Sequence, residues 1–71
     1  MKHIITISNP ELGKLLLSGF KKDGSPACIN YSETAVKYAK KYAYRASAHT
    51  TRRRLERQYP DEVYEVEVIE T

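Results

Sequence analysis

The sequence predicts a small α+β domain, in which an antiparallel sheet of three to four strands is covered on one face by one broken or two short helices. Three observations lead to this prediction. Apolar and polar residues alternate near both ends of the chain, an Asp-Gly pair separates two apolar stretches, and the apolar spacing becomes helical after residue 32. A chain of 71 residues has room for one core, so residues 1–71 are expected to form a single domain.

Two strands are predicted before residue 23. Residues 3–8 alternate and are rich in β-branched side chains, and Asn9-Pro10 ends this strand. Residues 12–22 are interpreted as a second strand, although a helix over residues 11–17 remains an alternative. Alternation along this strand assigns its apolar residues to two faces, with Leu16, Ser18 and Phe20 on one and Leu15, Leu17 and Gly19 on the other.

The Asp23-Gly24 pair favours the strand interpretation. Both positions tolerate a positive φ angle, so the pair is a strong signal for a two-residue hairpin turn. Such a turn would place Phe20 opposite Ala27 in the returning strand. Pro26 has no backbone N–H to donate, so we expect the returning strand to lie at an edge of the sheet.

Residues 32–58 are predicted to be helical in two pieces. Ser32 is a plausible N-cap, and apolar residues then recur at three- and four-residue spacing up to residue 43. One continuous helix would carry this apolar stripe onto arginines, whereas a new start with Ser47 as N-cap aligns Ala48, Leu55 and Tyr59. We therefore expect helices over about residues 33–43 and 48–58, with a break near residues 44–47.

The last strand is predicted over residues 63–69. Tyr64, Val66 and Val68 lie on one face, and Glu65 and Glu67 on the other. We expect this strand to pair beside the first one, where its glutamates would also protect a sheet edge against accidental pairing.

Composition excludes several classes of protein. The single cysteine forbids an internal disulfide, and with two histidines it falls short of the four ligands of a structural zinc site. The longest apolar run, Leu15-Leu16-Leu17, is far shorter than the roughly 18 residues of a membrane span, so no membrane association is expected. The N-terminus lacks the apolar block of a secretory signal, which favours a cytosolic location.

The sequence does not predict an enzyme. His3, His49 and Cys28 have no spacing typical of a catalytic arrangement, and no glycine-rich phosphate loop is present. Cys28 is interpreted as a small packed strand residue and His49 as a solvated or capping residue. No cofactor and no metal are expected.

Charge is strongly segregated along the chain. Residues 37–57 hold eight basic residues and the single acid Glu56, a net charge of +7, whereas residues 61–71 hold five acids and no base, a net charge of −5. Basic and aromatic residues of the helical segment are the candidate binding residues for nucleic acid or another partner: Lys37, Lys40, Lys41, Tyr42, Arg45, Arg52, Arg53, Arg54 and Arg57.

Two functions are consistent with this segment. Lys and Arg neutralise phosphates while tyrosines stack on bases, with Tyr38 and Tyr42 forming one platform if they are four apart on a helix. The same surface would also suit an acidic protein partner, because Tyr and Arg are common in binding hot spots. Two alternatives stay open: the tyrosines form the core while Glu65 and Glu67 neutralise the basic face, or a homodimer completes the thin core.

Five short stretches occur in a suggestive order: Gly19-Phe20-Lys21-Lys22-Asp23-Gly24, Ala39-Lys40-Lys41-Tyr42, Ser47-Ala48, Tyr59-Pro60-Asp61 and Tyr64-Glu65-Val66-Glu67-Val68. This layout resembles many small bacteriophage and mobile-element proteins. The resemblance implies a host-takeover or counter-defence factor, anti-CRISPR proteins among them, that acts in the cytoplasm of a bacterial host. Such a factor binds nucleic acid, a nucleoprotein complex or a host protein complex without catalysis. The basic helix departs from the acidic DNA mimicry of many such inhibitors.

Overall fold

The computed structural model describes residues 1–69, which form a four-stranded antiparallel sheet, a 3₁₀ helix and one α-helix. The elements follow in the order β1 (Lys2–Asn9), β2 (Gly13–Phe20), β3 (Pro26–Asn30), the 3₁₀ helix (Ala35–Tyr38), α1 (Arg45–Gln58) and β4 (Val63–Ile69). The strand order in the sheet is β3-β2-β1-β4. The predicted α+β class is confirmed, as are the strand at β2 and the pairing of β4 with β1.

Both faces of the sheet are apolar and both are covered within one chain. Neighbouring residues of a strand point to opposite faces, yet Ile4 and Ile5 of β1 are both fully buried. Leu55 of α1 packs with Ile5 on one face, and Ala39, just after the 3₁₀ helix, packs with Ile4 on the other. The prediction that helices cover only one face is therefore wrong, because the adjacent isoleucines require a cover on each side.

Residues 39–44 connect the two covers by passing between β1 and β2. β1 pairs with β2 only from Thr6 to Asn9. On the edge that faces β2, the backbone of the earlier β1 residues is therefore free to bond to another segment. Backbone bonds join Tyr42 and His3 in both directions, at 2.8 and 2.9 Å, and the Lys40 N–H donates to the Leu17 carbonyl at 2.8 Å. The predicted helix over residues 33–43 is therefore wrong: it is limited to one 3₁₀ turn, and the following backbone bonds to the sheet.

The Asp23-Gly24 turn forms, but with a longer loop than predicted. Only Gly24 of the pair has a positive φ, 87°. Asp23 instead uses its carboxylate to accept hydrogen bonds from the N–H and hydroxyl of Ser25, at 2.9 and 2.6 Å. Phe20 consequently pairs with Pro26 and not with Ala27.

A β-bulge in β2 also changes the predicted faces of that strand. The register against β3 shifts between Leu17 and Gly19. Phe20 therefore packs on the same apolar cluster as Leu17 and Leu55, although simple alternation assigns Phe20 and Leu17 to opposite faces. The edge position predicted for the strand containing Pro26 is confirmed.

The α-helix begins three residues earlier than predicted. Tyr44 is its N-cap residue, and within residues 1–69 no side chain caps the first turn, so Ser47 lies inside the helix. Burial of Ala48 and Leu55 confirms two residues of the predicted apolar stripe, whereas Tyr59, its third member, is exposed just beyond the end of the helix. Ser32 does act as a cap, because its hydroxyl accepts a hydrogen bond from the Ala35 N–H at 3.0 Å, but it caps the 3₁₀ helix.

Candidate nucleic-acid interface

The outer face of α1 carries three of the eight predicted basic residues, Arg45, Arg53 and Arg57. Ala48 and Leu55 turn the opposite side of the helix toward the sheet. Arg53 and Arg57 are four residues apart, so they are neighbours on the helix surface, and both are exposed. Arg45, the first residue of the helix, is exposed as well.

The three consecutive arginines point in three directions. Arg52 is half-buried, and its Nη1 donates to Glu56 Oε1 at 2.6 Å. The guanidinium group of Arg54 lies over the Phe20 ring, 4.8 Å from its centre. Arg53 remains exposed on the outer face.

His49 lies between arginines and borders a shallow depression on this face. The depression has a volume of about 360 Å³ and is lined by Arg45, Ala46, His49, Thr50 and Arg53. The Arg45 Nε is 3.3 Å from His49 Nε2, and the Arg52 Nε is 3.1 Å from His49 Nδ1. Interpreting His49 as a solvated or capping residue missed this cluster, although arginines at three- and four-residue spacing from it were a usable signal.

The acidic strand does not neutralise the arginines of α1. Tyr64 and Val66 pack on the cluster below α1, so the alternating Glu65 and Glu67 lie on the other face of the sheet. There Glu67 forms an ion pair with Lys14 at 3.4 Å. Among residues 1–69, Glu56 is the only carboxylate that forms a salt bridge with an arginine of α1. The alternative in which Glu65 and Glu67 neutralise the basic face is therefore not supported by this geometry.

The predicted lysines differ from the arginines of α1 in their position and in their contacts. We call residues 35–43 the lysine segment, since it contains Lys37, Lys40 and Lys41. Lys37 and Lys40 are exposed, with ammonium groups 5.3 and 5.4 Å from the ring centres of Tyr38 and Tyr42. The Lys41 ammonium donates to the carbonyls of Lys37 and Ala39, at 2.7 and 3.2 Å. The segment begins on the face opposite α1, so the nine predicted residues do not form one surface.

The tyrosines are divided between core and surface. Tyr42 is half-buried against the α1 side of the core, so the predicted helical platform of Tyr38 and Tyr42 does not form. Tyr64 is buried, its hydroxyl donates to Glu62 at 3.0 Å, and burial raises its pKa above the usual range. By contrast, 65% of Tyr38 and 74% of Tyr44 are exposed.

The other reactive groups form no combined site. Cys28 lies on the edge strand and is exposed, so its interpretation as a packed residue is wrong. Partial burial, followed by the charge of Glu62, raises the pKa of this thiol and disfavours its nucleophilic form. Within residues 1–69, His, Cys, Asp and Glu form no group of three that would hold a metal ion.

None of the helices in the described part of the chain is both long and apolar enough to cross a bilayer. Comparisons with models of protein families, with curated proteins and with solved structures found no match. What the protein binds is therefore inferred from the geometry of its own surface.

Proposed function

We propose that the protein is a non-enzymatic binding domain that contacts nucleic acid, alone or in a nucleoprotein complex, through the outer face of α1. The supporting observation is the exposed cluster of Arg45, Arg53 and Arg57, separated by the sheet from the glutamates of β4. Guanidinium groups match the geometry of phosphate oxygens and remain charged at every physiological pH. A nucleic-acid backbone supplies such groups at regular spacing.

Two further features favour nucleic acid within this proposal. The depression at His49 has Arg45 and Arg53 in its lining, so two cationic side chains are available there to an anionic ligand. Tyr44 is highly exposed and directly precedes Arg45, which places an aromatic residue at the end of the arginine cluster. Single-stranded nucleic acids are bound by this combination, because aromatic rings stack on bases while cations neutralise the backbone.

The salt dependence of binding tests the proposal. Fluorescence anisotropy with labelled single-stranded and duplex oligonucleotides should show affinity at low salt that decreases log-linearly as salt rises. Replacing Arg53 and Arg57 together by Gln removes two cations without changing the buried side of α1. The magnitude of the slope should then fall by about 1.4 for the single strand and about 1.8 for the duplex. Absence of binding at low salt, or an unchanged slope in the variant, would contradict the proposal.

A second candidate is an inhibitor of the phage type that binds a host protein complex through the same face. Exposed Tyr44 beside Arg45 favours it, because these residue types dominate protein hot spots. A polyglutamate peptide of the same charge as the oligonucleotide separates the two functions. Equal affinity for both probes, or tighter binding of the peptide, would favour the protein partner, whereas clear preference for the oligonucleotide supports the nucleic-acid function.

A further inference from the structure

The two edge strands of the sheet, β3 and β4, differ in how open they are to further pairing. β3 has five residues, begins with Pro26, and its pairing with β2 contains a register shift. Short length, proline and a bulge all hinder the addition of another strand. β4 has seven residues, contains no proline and pairs with β1 without a register shift. β4 is therefore the edge at which an extended segment can add to the sheet.

Backbone hydrogen bonds of β1 show which groups of β4 point outward. The N–H and C=O of His3 both bond to Tyr42, on the side of β1 that faces β2. Residues of an antiparallel ladder direct these groups to alternate sides, so His3 does not bond to Val68, its partner in β4. The N–H and C=O of Val68 therefore point away from the sheet. At two-residue intervals, those of Val66 and Tyr64 do so as well.

These outward groups are open to a partner. Among the backbone bonds that residues 1–69 form outside the regular elements, none involves Tyr64, Val66 or Val68. A row of unpaired N–H and C=O groups along an edge is what an added β-strand binds. The side chain of Val68 also has room for a contact, because 55% of this residue is exposed. An apolar side chain of an added strand would cover it.

The glutamates of β4 determine which kind of strand fits. Glu65 is exposed and forms no salt bridge within residues 1–69, and Glu67 pairs with Lys14 at 3.4 Å. Across an antiparallel pair, opposite charges stabilise and like charges destabilise. A second copy of β4 centred on Val66 would place Glu65 directly opposite Glu67. The edge therefore disfavours self-pairing and favours a basic strand.

We propose that the free edge of β4 binds an extended segment of a partner protein, antiparallel to β4, in which basic residues alternate with β-branched apolar residues. The basic side chains lie opposite Glu65 and Glu67, and the apolar side chains lie opposite Val66 and Val68. The partner segment becomes a fifth strand, next to β4. This site uses a sheet edge and not the outer face of α1, so it goes beyond the proposed function and does not depend on it.

A labelled seven-residue peptide of alternating lysine and valine, titrated with the full chain at low salt, tests the proposal by fluorescence anisotropy. In the antiparallel ladder its valine N–H groups face β4 and its lysine N–H groups face solvent. N-methylation of the valines should therefore weaken binding by about tenfold or more, because several backbone bonds are lost. N-methylation of the lysines should weaken it by less than about threefold. A peptide of the same composition with its lysines and valines in separate blocks should bind about tenfold more weakly.

Protein variants test the charge and the backbone separately. Glu65→Lys should weaken binding of the alternating peptide about tenfold, because an attraction becomes a repulsion. Asp61→Lys makes the same charge change in the exposed turn before β4 and should weaken binding by less than about threefold. Val68→Pro removes one outward N–H and should weaken binding about fivefold, whereas Val68→Thr keeps this N–H and should bind nearly as well. Unchanged thermal unfolding would show that each variant keeps its fold.

Amide hydrogen exchange measured by NMR locates the bound peptide. In the free protein the outward N–H groups of Val66 and Val68 should exchange faster than those of Glu65 and Glu67, which bond to β1. With about nine tenths of the protein bound to peptide, exchange of Val66 and Val68 should slow about tenfold.

Slowed exchange at Val66 and Val68, together with loss of binding on N-methylation of the valines, supports the proposal. No binding of the alternating peptide at low salt, equal binding of the block peptide, or a greater loss from N-methylation of the lysines overturns it. Slowed exchange of the same amides at high protein concentration without peptide would show that a second copy occupies the edge, which overturns the choice of a basic partner.

Discussion

The lysine segment and α1 are two halves of one basic stretch, but they fold and present their charges differently. Both have apolar residues at helical spacing, and both were predicted to be helices. In α1 the apolar residues Ala48 and Leu55 lie on one side, so a helix can bury them together. In the lysine segment Ala39 packs on one face of the sheet and Tyr42 on the other, which a single helix cannot achieve.

The difference also determines what each half offers to a partner. Backbone groups of Lys40 and Tyr42 bond to β2 and β1, and the Lys41 ammonium is occupied by two carbonyls. The outer face of α1 keeps Arg53 and Arg57 on its surface. The lysine segment therefore acts mainly as a structural connection, while α1 carries the candidate interface.

The largest expected effect concerns stability. Leu55→Ala should lower the free energy of unfolding by about 3 kcal/mol, because Leu55 is fully buried in the cluster below α1. Val36→Ala in the lysine segment should cost about 1 kcal/mol or less, because Val36 is only half-buried. Urea unfolding followed by circular dichroism measures both. Equal losses would show that the two halves contribute equally to the core.

Charge removal in each half should have unequal effects on binding. Arg53→Gln with Arg57→Gln should weaken oligonucleotide binding about tenfold at moderate salt, because two phosphate contacts are lost. Lys37→Gln with Lys40→Gln removes the same charge and should weaken it only about twofold through screened, long-range attraction. Anisotropy titrations in one buffer measure the ratio. A larger loss of affinity in the lysine variant would show that the interface lies on the lysine segment and not on α1.

Removing either of two tyrosine hydroxyl groups should change stability by a smaller amount, with opposite signs for residues 42 and 64. Tyr42 has a buried hydroxyl without a hydrogen-bond partner in residues 1–69, so Tyr42→Phe should leave stability unchanged or raise it by about 1 kcal/mol. Tyr64→Phe should lower it by about 1 kcal/mol, since the bond to Glu62 is lost. Thermal unfolding distinguishes the signs. A clear loss in Tyr42→Phe would mean that the hydroxyl has a partner and that residues 39–44 lie differently.

The smallest expected effect on oligonucleotide affinity comes from removing an acid, and it should differ between Glu56 of α1 and Glu67 on the other face of the sheet. Glu56→Gln releases Arg52 from its ion pair and should raise oligonucleotide affinity about threefold. Glu67→Gln removes the same charge beside Lys14, across the sheet, and should change affinity by less than about 1.5-fold. Titrations of the two variants at identical salt test this order. A stronger effect of Glu67→Gln would show that β4 does influence the interface.

Local signals in the sequence were sufficient for much of the sheet. Strict alternation predicted β4 over residues 63–69, and the Asp23-Gly24 pair correctly favoured a strand over a helix at β2. The bulge near Ser18 was not predictable in this way, since a shift of one residue depends on how Phe20 fits the core below α1.

The candidate site was predictable only in composition. Counting charges identified the arginines, but the helical period cannot show that Glu65 and Glu67 face away from them. That separation depends on which face of β4 the helix covers, and burial of Tyr64 decides it. The contacts of His49 were predictable in part: Arg52 and Arg53 follow it at three- and four-residue spacing within the predicted helix, whereas Arg45 comes into reach only because the helix starts at that residue.

Backbone amide NMR during an oligonucleotide titration tests most directly whether the outer face of α1 is the interface. With the labelled full chain at low salt, we expect the largest shift changes at Arg45, His49, Arg53 and Arg57, and small changes in residues 35–41 and in β4. Addition of salt should reverse the changes. Dominant changes at residues 35–41 or along β4, with α1 unaffected, would contradict the account.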